Sequence, residues 1–308
     1  METIRQEAID AKTKSSDDVN PYVGVSDNHL LVSSRPTKFG VFAASAGDLP
    51  TQPARWFRLT NSGSGAVTVN HRYPILKKYF DGDSLEVSKD SGTILLTNPS
   101  ISTPNGTSNA LKINHTADNS AYAHIPSPYG LKENHTVTNY FKIESNASEL
   151  QPLGLYSNYG GIDINHPAVG LRITSTNEVK IRVGTNVTDT SVSHTPNSWY
   201  RVKITALSAS AKVVMEKFNP STKLWAVEVN ETVASSGVGL ISELLSKDEY
   251  VVAFASEGVG VQYIDNFEVL EESSSGEVLP VGATKEYDCN RTLDEYSVDG
   301  AVTGYWRG

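Results

Sequence analysis

The sequence predicts an all-β protein built around one large antiparallel sandwich over residues 77–272, with a small β unit before it and extended termini. Two observations carry this. From residue 79 to 272 the chain is a series of strand-length runs, alternately apolar and polar, separated by Gly, Asn, Ser and Pro turns. Almost no helical period interrupts them, and many short strands without intervening helices make a sandwich or barrel. The length, 308 residues, accommodates one such domain with appendages.

Taken in order, Ile4, Ala8 and Ala11 give Thr3–Lys14 the spacing of a short amphipathic helix, ended by the polar run SSDDVNP. Residues 1–29 are expected to be an arm held by something other than their own fold, since so few apolar groups do not offset ordering costs of about 1–2 kcal/mol per residue. From His29 the chain carries HLLVSS, FGVFAAS, ARWFRLT and AVTVNHRY, with NSGSG at 61–65 read as a hairpin loop: residues 30–76 make a β adaptor too small to stand alone. In the main domain, TVTNYFKIE sets Val137, Asn139, Phe141 and Ile143 on one face and Thr138, Tyr140 and Lys142 on the other. ALKIN, GLRIT, EVKIRVG, WYRVKITA, AKVVMEKF, KLWAVEVN and EYVVAFAS read in the same way, and Trp199 and Trp225 are expected in the core. GLISELLS at 239–246 is the exception, a helical turn plugging one end. The tail, 273–308, carries Leu279, Val281, Tyr287, Leu293, Tyr296, Val298, Tyr305 and Trp306 and has two possible fates: strand addition to a neighbouring subunit, or folding back to complete the 30–76 unit.

Charge excludes several functions. With 26 basic and 35 acidic residues, a formal charge of −9 and no Lys/Arg block, neither nucleic acid nor an anionic membrane is an expected partner. Cys289 is the single cysteine, which rules out an internal disulfide and a cysteine zinc cluster. The N-terminal segment lacks an apolar h-region and no run is long enough to span a bilayer, so neither export nor membrane insertion is expected.

YFDGDSLEV, NGTSNALKIN, NSWYRVKITA and YIDNFEVLE occur in that order across residues 79–271. Together they resemble the concanavalin A-like, laminin-G-type jelly rolls of lectins, glucanases and carbohydrate-binding modules; GLKENHTVTNYFKIE is also similar to a strand of the galactose-binding-like jelly rolls. The resemblance implies a jelly-roll sandwich and specifies the fold better than the function. Glucanases of that superfamily carry an E-x-D-x-x-E run on one strand, and this chain has none; Glu286 and Asp288 in KEYDCNRT lack the last carboxylate. No catalytic residue is therefore assigned. The seven histidines show no metal-ligand spacing.

Two constellations remain. In LYSNYGGIDINH, Tyr156 and Tyr159 flank two glycines, with Asp163, Asn165 and His166 beside them: rings to stack on a sugar and polar groups to bond its hydroxyls. The plainer reading is a Gly-rich turn with packed tyrosines. Asp81 and Asp83 open the domain and Asp265 lies in its last strand, where they are candidate ligands of a structural Ca²⁺ or simply caps of turns. No other cofactor is expected. In general organisation the whole chain resembles a bacteriophage virion protein: an arm, a small adaptor, a lectin-like sandwich and a tail. The resulting expectation is a non-catalytic structural or attachment protein, assembled in the host cytoplasm as a homo-oligomer. It would join other virion subunits through 1–29 and 273–308 and bind a cell-surface glycan. A free bacterial carbohydrate-binding protein and a glycoside hydrolase are the alternatives.

Overall fold

The computed structural model describes residues 22–26, 29–33, 39–50, 53–80, 88–89, 94–104, 109–116, 121–127, 129–157, 165, 167–222, 224–272 and 276–307. The helix expected over Thr3–Lys14 lies outside them. The chain forms two compact units, one from residues 1–70 with 275–308 and one from 71–274. Its first strands are β1 (Tyr22–Ser26), β2 (His29–Ser33), β3 (Phe39–Ala44), β4 (Gly47–Asp48), β5 (Pro53–Asn61) and β6 (Val67–Tyr79). β1 and β2 pair with each other as a two-stranded sheet.

The 71–274 unit contains β7 (Ser88–Lys89), β8 (Ile94–Thr97), β9 (Leu111–His115), β10 (Ala121–Ser127), β11 (His135–Asn146), β12 (Leu150–Tyr156) and β13 (Val169–Ile173). It continues with β14 (Glu178–Val183), β15 (Asn186–Ser193), β16 (Trp199–Ala206), β17 (Ser210–Asn219), β18 (Leu224–Ala234), the short helix α1 (Ile241–Leu245), β19 (Tyr250–Ser256) and β20 (Gly260–Glu272). One sheet has the order β15-β14-β13-β12-β19-β10-β7. The other runs β18-β17-β16-β11-β20; the first half of β20 pairs β9, which pairs β8, and its second half pairs the end of β6. Among the described residues the strands pair antiparallel, and successive strands cross repeatedly between the sheets, β9 to β10, β10 to β11, β11 to β12 and β19 to β20. This winding is the jelly-roll sandwich that the resemblance implied.

Strand alternation builds the core. Val137, Phe141 and Ile143 of β11, Tyr200, Val202 and Ile204 of β16, and Leu111 and Ile113 of β9 are fully buried among residues of the facing sheet such as Leu153, Leu155, Val252 and Phe254. Asn139, inside that face, is accommodated because its Nδ2 donates to the Pro152 carbonyl at 2.8 Å. Ile241 and Leu244 of α1 join the same core, as the pattern of GLISELLS predicted. Turn geometry follows residue type: Asn177 (φ 67°) closes the β13–β14 hairpin, and Gly184 (φ 62°) closes β14–β15. A Cβ on Gly184 would meet the Ser236 carbonyl at 2.3 Å, so the position requires glycine twice over.

The other unit is completed by the tail: β21 (Glu277–Leu279), β22 (Thr284–Thr292), β23 (Tyr296–Val298) and β24 (Val302–Arg307). One of its sheets has the order β22-β5-β24-β3, and in another β6 lies between β21 and β23, with β4 beyond β23. Phe57, Leu59, Val67, Leu279, Leu293, Val302 and Trp306 share its core. The tail thus finds its partner strands within its own chain, the second of its two fates. Two corrections accompany this. The expected 30–76 adaptor and 273–308 tail are not separate pieces: residues up to 70 and from 275 onward form one unit, and 71–76 belong with the sandwich. NSGSG is not a hairpin loop, for β5 and β6 lie in different sheets. Asn61 accounts for the arch: its Nδ2 donates to the carbonyls of Gly65 and Leu279, each at 2.8 Å, and its Oδ1 accepts from Gly63 N at 2.9 Å.

Two buried histidines make the sandwich acid-sensitive. His194 lies beside the rings of Phe141 and Tyr200 with no hydrogen bond to either ring nitrogen, and His115 meets only Gln262, at 3.1 Å through Nε2. Burial pushes both imidazoles down to about 4, with Lys217 adding to the effect on His194. The unfolded chain takes up these protons near pH 6.5 and the folded chain does not. Their penalty is therefore absent above that pH, grows as pH falls towards 4, and is constant below. The loss is on the order of 3 kcal/mol per histidine at most. Urea unfolding at pH 7.5 and 4.5 should show a fall of a few kcal/mol, reduced in His194→Phe. Equal stability at the two pH values would contradict the assignment.

Candidate active face: an aromatic row on the larger sheet

The face of the larger sheet that points away from the core is where aromatic and charged side chains converge. Lys142 of β11 is the direct cross-strand partner of Tyr263 on β20 and of Trp199 on β16, and Phe218 of β17 is the partner of Trp225 on β18. Because Tyr200 pairs with Lys217, Trp199 and Phe218 occupy adjoining positions. The result is a transverse row, Tyr263, Lys142, Trp199, Phe218, Trp225, across five adjacent strands. Its rings are held firmly. Trp199 Nε1 donates to the Ser102 carbonyl at 3.0 Å, Phe218 and Trp225 have centroids 5.1 Å apart, and the hydroxyl of Tyr263 donates to Glu144.

Beside it runs a charged row. Tyr140, Arg201 and Glu216 are successive cross-strand partners on β11, β16 and β17. Arg201 Nε donates to Glu216 Oε2 at 2.8 Å, and Lys203 Nζ reaches the same oxygen at 3.0 Å. The guanidinium lies 4.7 Å from the Trp225 ring, which also meets Tyr140 edge-on at 5.4 Å. Arg201 is 2% exposed and Glu216 7%, so this is a desolvated ionic triad whose charges are close enough to satisfy one another. Burial pushes the Glu216 carboxyl up, but Arg201 and Lys203 outweigh it and hold the group at about 2. A carboxylate so fixed stays ionised and is poorly suited to give up or take a proton in catalysis near neutral pH.

This site departs from the sequence expectation. Neither tryptophan lies between the two sheets: Trp199 is buried with Ala110 and Tyr263 in a smaller cluster on the outer face, and Trp225 is partly buried on that face beside Arg201. Tyr156 is only 2% exposed, packs with Val251, Ala253 and Tyr122, and donates its hydroxyl to Gln151 Oε1 at 2.6 Å, so its ring has no free face for a sugar. Asn165 is tied into a different network: its Nδ2 donates to Glu257 at 3.1 Å, while Arg172 Nη2 reaches Asn165 Oδ1 at 3.3 Å and Glu149 at 2.7 Å. Tyr159, Asp163 and His166 lie outside the described residues, as do Asp81 and Asp83. Asp265 is buried at 1% exposure, and its backbone carbonyl accepts from Phe80 N at 3.4 Å. Among the described residues no group of three His, Cys, Asp or Glu side chains is placed to hold a metal, and no helix is long and apolar enough to cross a membrane.

The triad sets a testable stability difference. Glu216→Gln removes the carboxylate that two buried cations share and should cost about 3–5 kcal/mol, whereas Glu144→Gln, at an exposed pair with Lys112, should cost less than about 1 kcal/mol. Because the folded pKa of Glu216 is depressed, its contribution is full above pH 4.5 and is lost as pH falls towards 2. Chemical denaturation of both variants checks the order; equal costs would contradict it.

No protein-family model and no curated protein matches the chain. Among solved structures it is similar to lectin II from Ulex europaeus, at 11% identity and a TM-score of 0.38 over 65% of this chain and 100% of that one. It is also similar to a glycoside hydrolase family 16 endo-glucanase from Bacteroides ovatus, at 11% and 0.40 over 63% and 99%. A third is the catalytic domain of an endo-1,3-β-glucanase from Thermotoga petrophila, at 9% and 0.40 over 67% and 100%.

Proposed function

We propose that the sandwich binds carbohydrate on the outer face of its larger sheet without cleaving it, and that the chain is a structural or attachment protein of a virus particle, a bacteriophage by its general organisation. The observation that carries the binding reading is the aromatic row. Phe218 and Trp225 are partly buried, and Leu224 and Val227 beside them are exposed. Such a strip offers ring faces to the C–H surface of sugars, with polar and charged groups alongside for hydroxyls. The reading as non-catalytic rests on the missing E-x-D-x-x-E run and on the ion-paired state of Glu216. The virion reading rests on sequence organisation alone, with 1–29 and 273–308 proposed as segments that also contact neighbouring subunits.

Glycan-array binding should weaken roughly tenfold in Trp225→Ala and in Phe218→Ala, a desolvated stacking ring being worth about 1 kcal/mol or more. Tyr156→Phe should bind as the parent does. The parent should release no reducing ends from β-glucans or galactans. Undiminished binding by both ring variants, or turnover that one carboxylate substitution abolishes, would overturn the reading. For the particle, an antibody to the sandwich should label sedimented virions; recovery only as free protein would favour a free carbohydrate-binding protein.

A further inference from the structure

Four cations flank the aromatic row, and three of them have a carboxylate. Lys112 pairs with Glu144 at 3.3 Å, and Arg201 and Lys203 share Glu216. Lys142 differs. Its ammonium lies 4.5 Å from the Tyr263 ring centroid and 5.9 Å from that of Trp199, and among the described residues no carboxylate comes within ion-pair distance of it. Glu144, the acid whose charge acts on Lys142, is itself bound to Tyr263 and Lys112. Lys142 is also only partly buried. Two ring faces attract an ammonium and fix its position, yet they do not neutralise it. A fixed cation with an open anion position, in line with sugar-stacking rings, is complementary to an acid group on the ligand.

We propose that the glycan bound by this face is acidic, and that Lys142 pairs with a carboxylate of a uronic acid or sialic acid unit while Phe218 and Trp225 stack on a unit further along the same oligosaccharide. This rests on the glycan-binding reading above and names its ligand class. Geometry adds a length requirement. Lys142 and Trp225 are three strands apart, about 14 Å at the usual strand spacing. A short oligosaccharide covers that span and a monosaccharide does not. The chain's formal charge of −9 opposes acidic ligands at long range, so the preference must come from this local cation.

The test uses the full chain, with polygalacturonate, its carboxyl-reduced form, a sialylated oligosaccharide and a poly-glutamate peptide as probes. The parent should bind one of the acidic glycans at least roughly tenfold more tightly than the reduced polymer, a charged hydrogen bond being the difference. Lys142→Gln should lose that preference while Trp225-dependent binding to the reduced polymer persists, and Lys142→Arg should restore it. Thermal melts establish that each variant is folded. Equal affinity for acidic and reduced polymers would overturn the acidic class and leave glycan binding standing. Absence of Trp225-dependent binding to any glycan would overturn both. Binding of poly-glutamate as tight as that of the acidic glycans would replace sugar by an acidic peptide and overturn the proposal.

Discussion

β11 is hydrogen-bonded along both edges, to β16 and to β20, and its register decides what either side of the larger sheet can be. Side chains alternate with period two, so a slip by one residue would exchange Val137, Phe141 and Ile143 for Thr138, Tyr140 and Lys142. The first set fills the core, and the second lies on the outer face with Trp199 and Arg201. Core and site are therefore two readings of one register, and the burial of the apolar set is what holds the polar set in place.

The outer face is itself partly desolvated. Arg201, Glu216, Lys203 and Tyr140 are all buried there, and buried ions of this kind are tolerated when their charges and hydrogen bonds are satisfied locally. The consequence is rigidity: the Trp225 ring is backed by a fixed guanidinium and edged by Tyr140, which leaves it little freedom.

The smaller unit follows a different logic. Its core draws on residues 49–69 and 279–306, so neither segment buries enough apolar surface until the other arrives. Trp306 illustrates the dependence. It pairs with Phe57 on one side and Gly40 on the other, and a Cβ at Gly40 would meet its indole at 2.2 Å, so glycine there makes room for the ring. Such long-range closure is slow to form, but it gives the tail an internal reason to be ordered.

Alternation determined a great deal from the sequence alone: the all-β class, the inner face of β11 and the capping helix; Trp199 shares the parity of Arg201 and Lys203, but its apolar bulk leads to the expectation of a core position. Trp225 was not legible in this way. Strict alternation gives it the parity of Val229, which is in the core, but β18 skips Glu228 in its pairing, so Glu216 opposes Val227 and Met215 opposes Val229. That bulge reverses the faces and turns Trp225 outward. The pairing of β22 and β24 with β5, and the arch at Asn61, likewise depend on partners more than 200 residues away. Local pattern fixes which side of a strand is apolar. Which strands meet, and where a ladder skips a residue, is decided only when the sheets assemble.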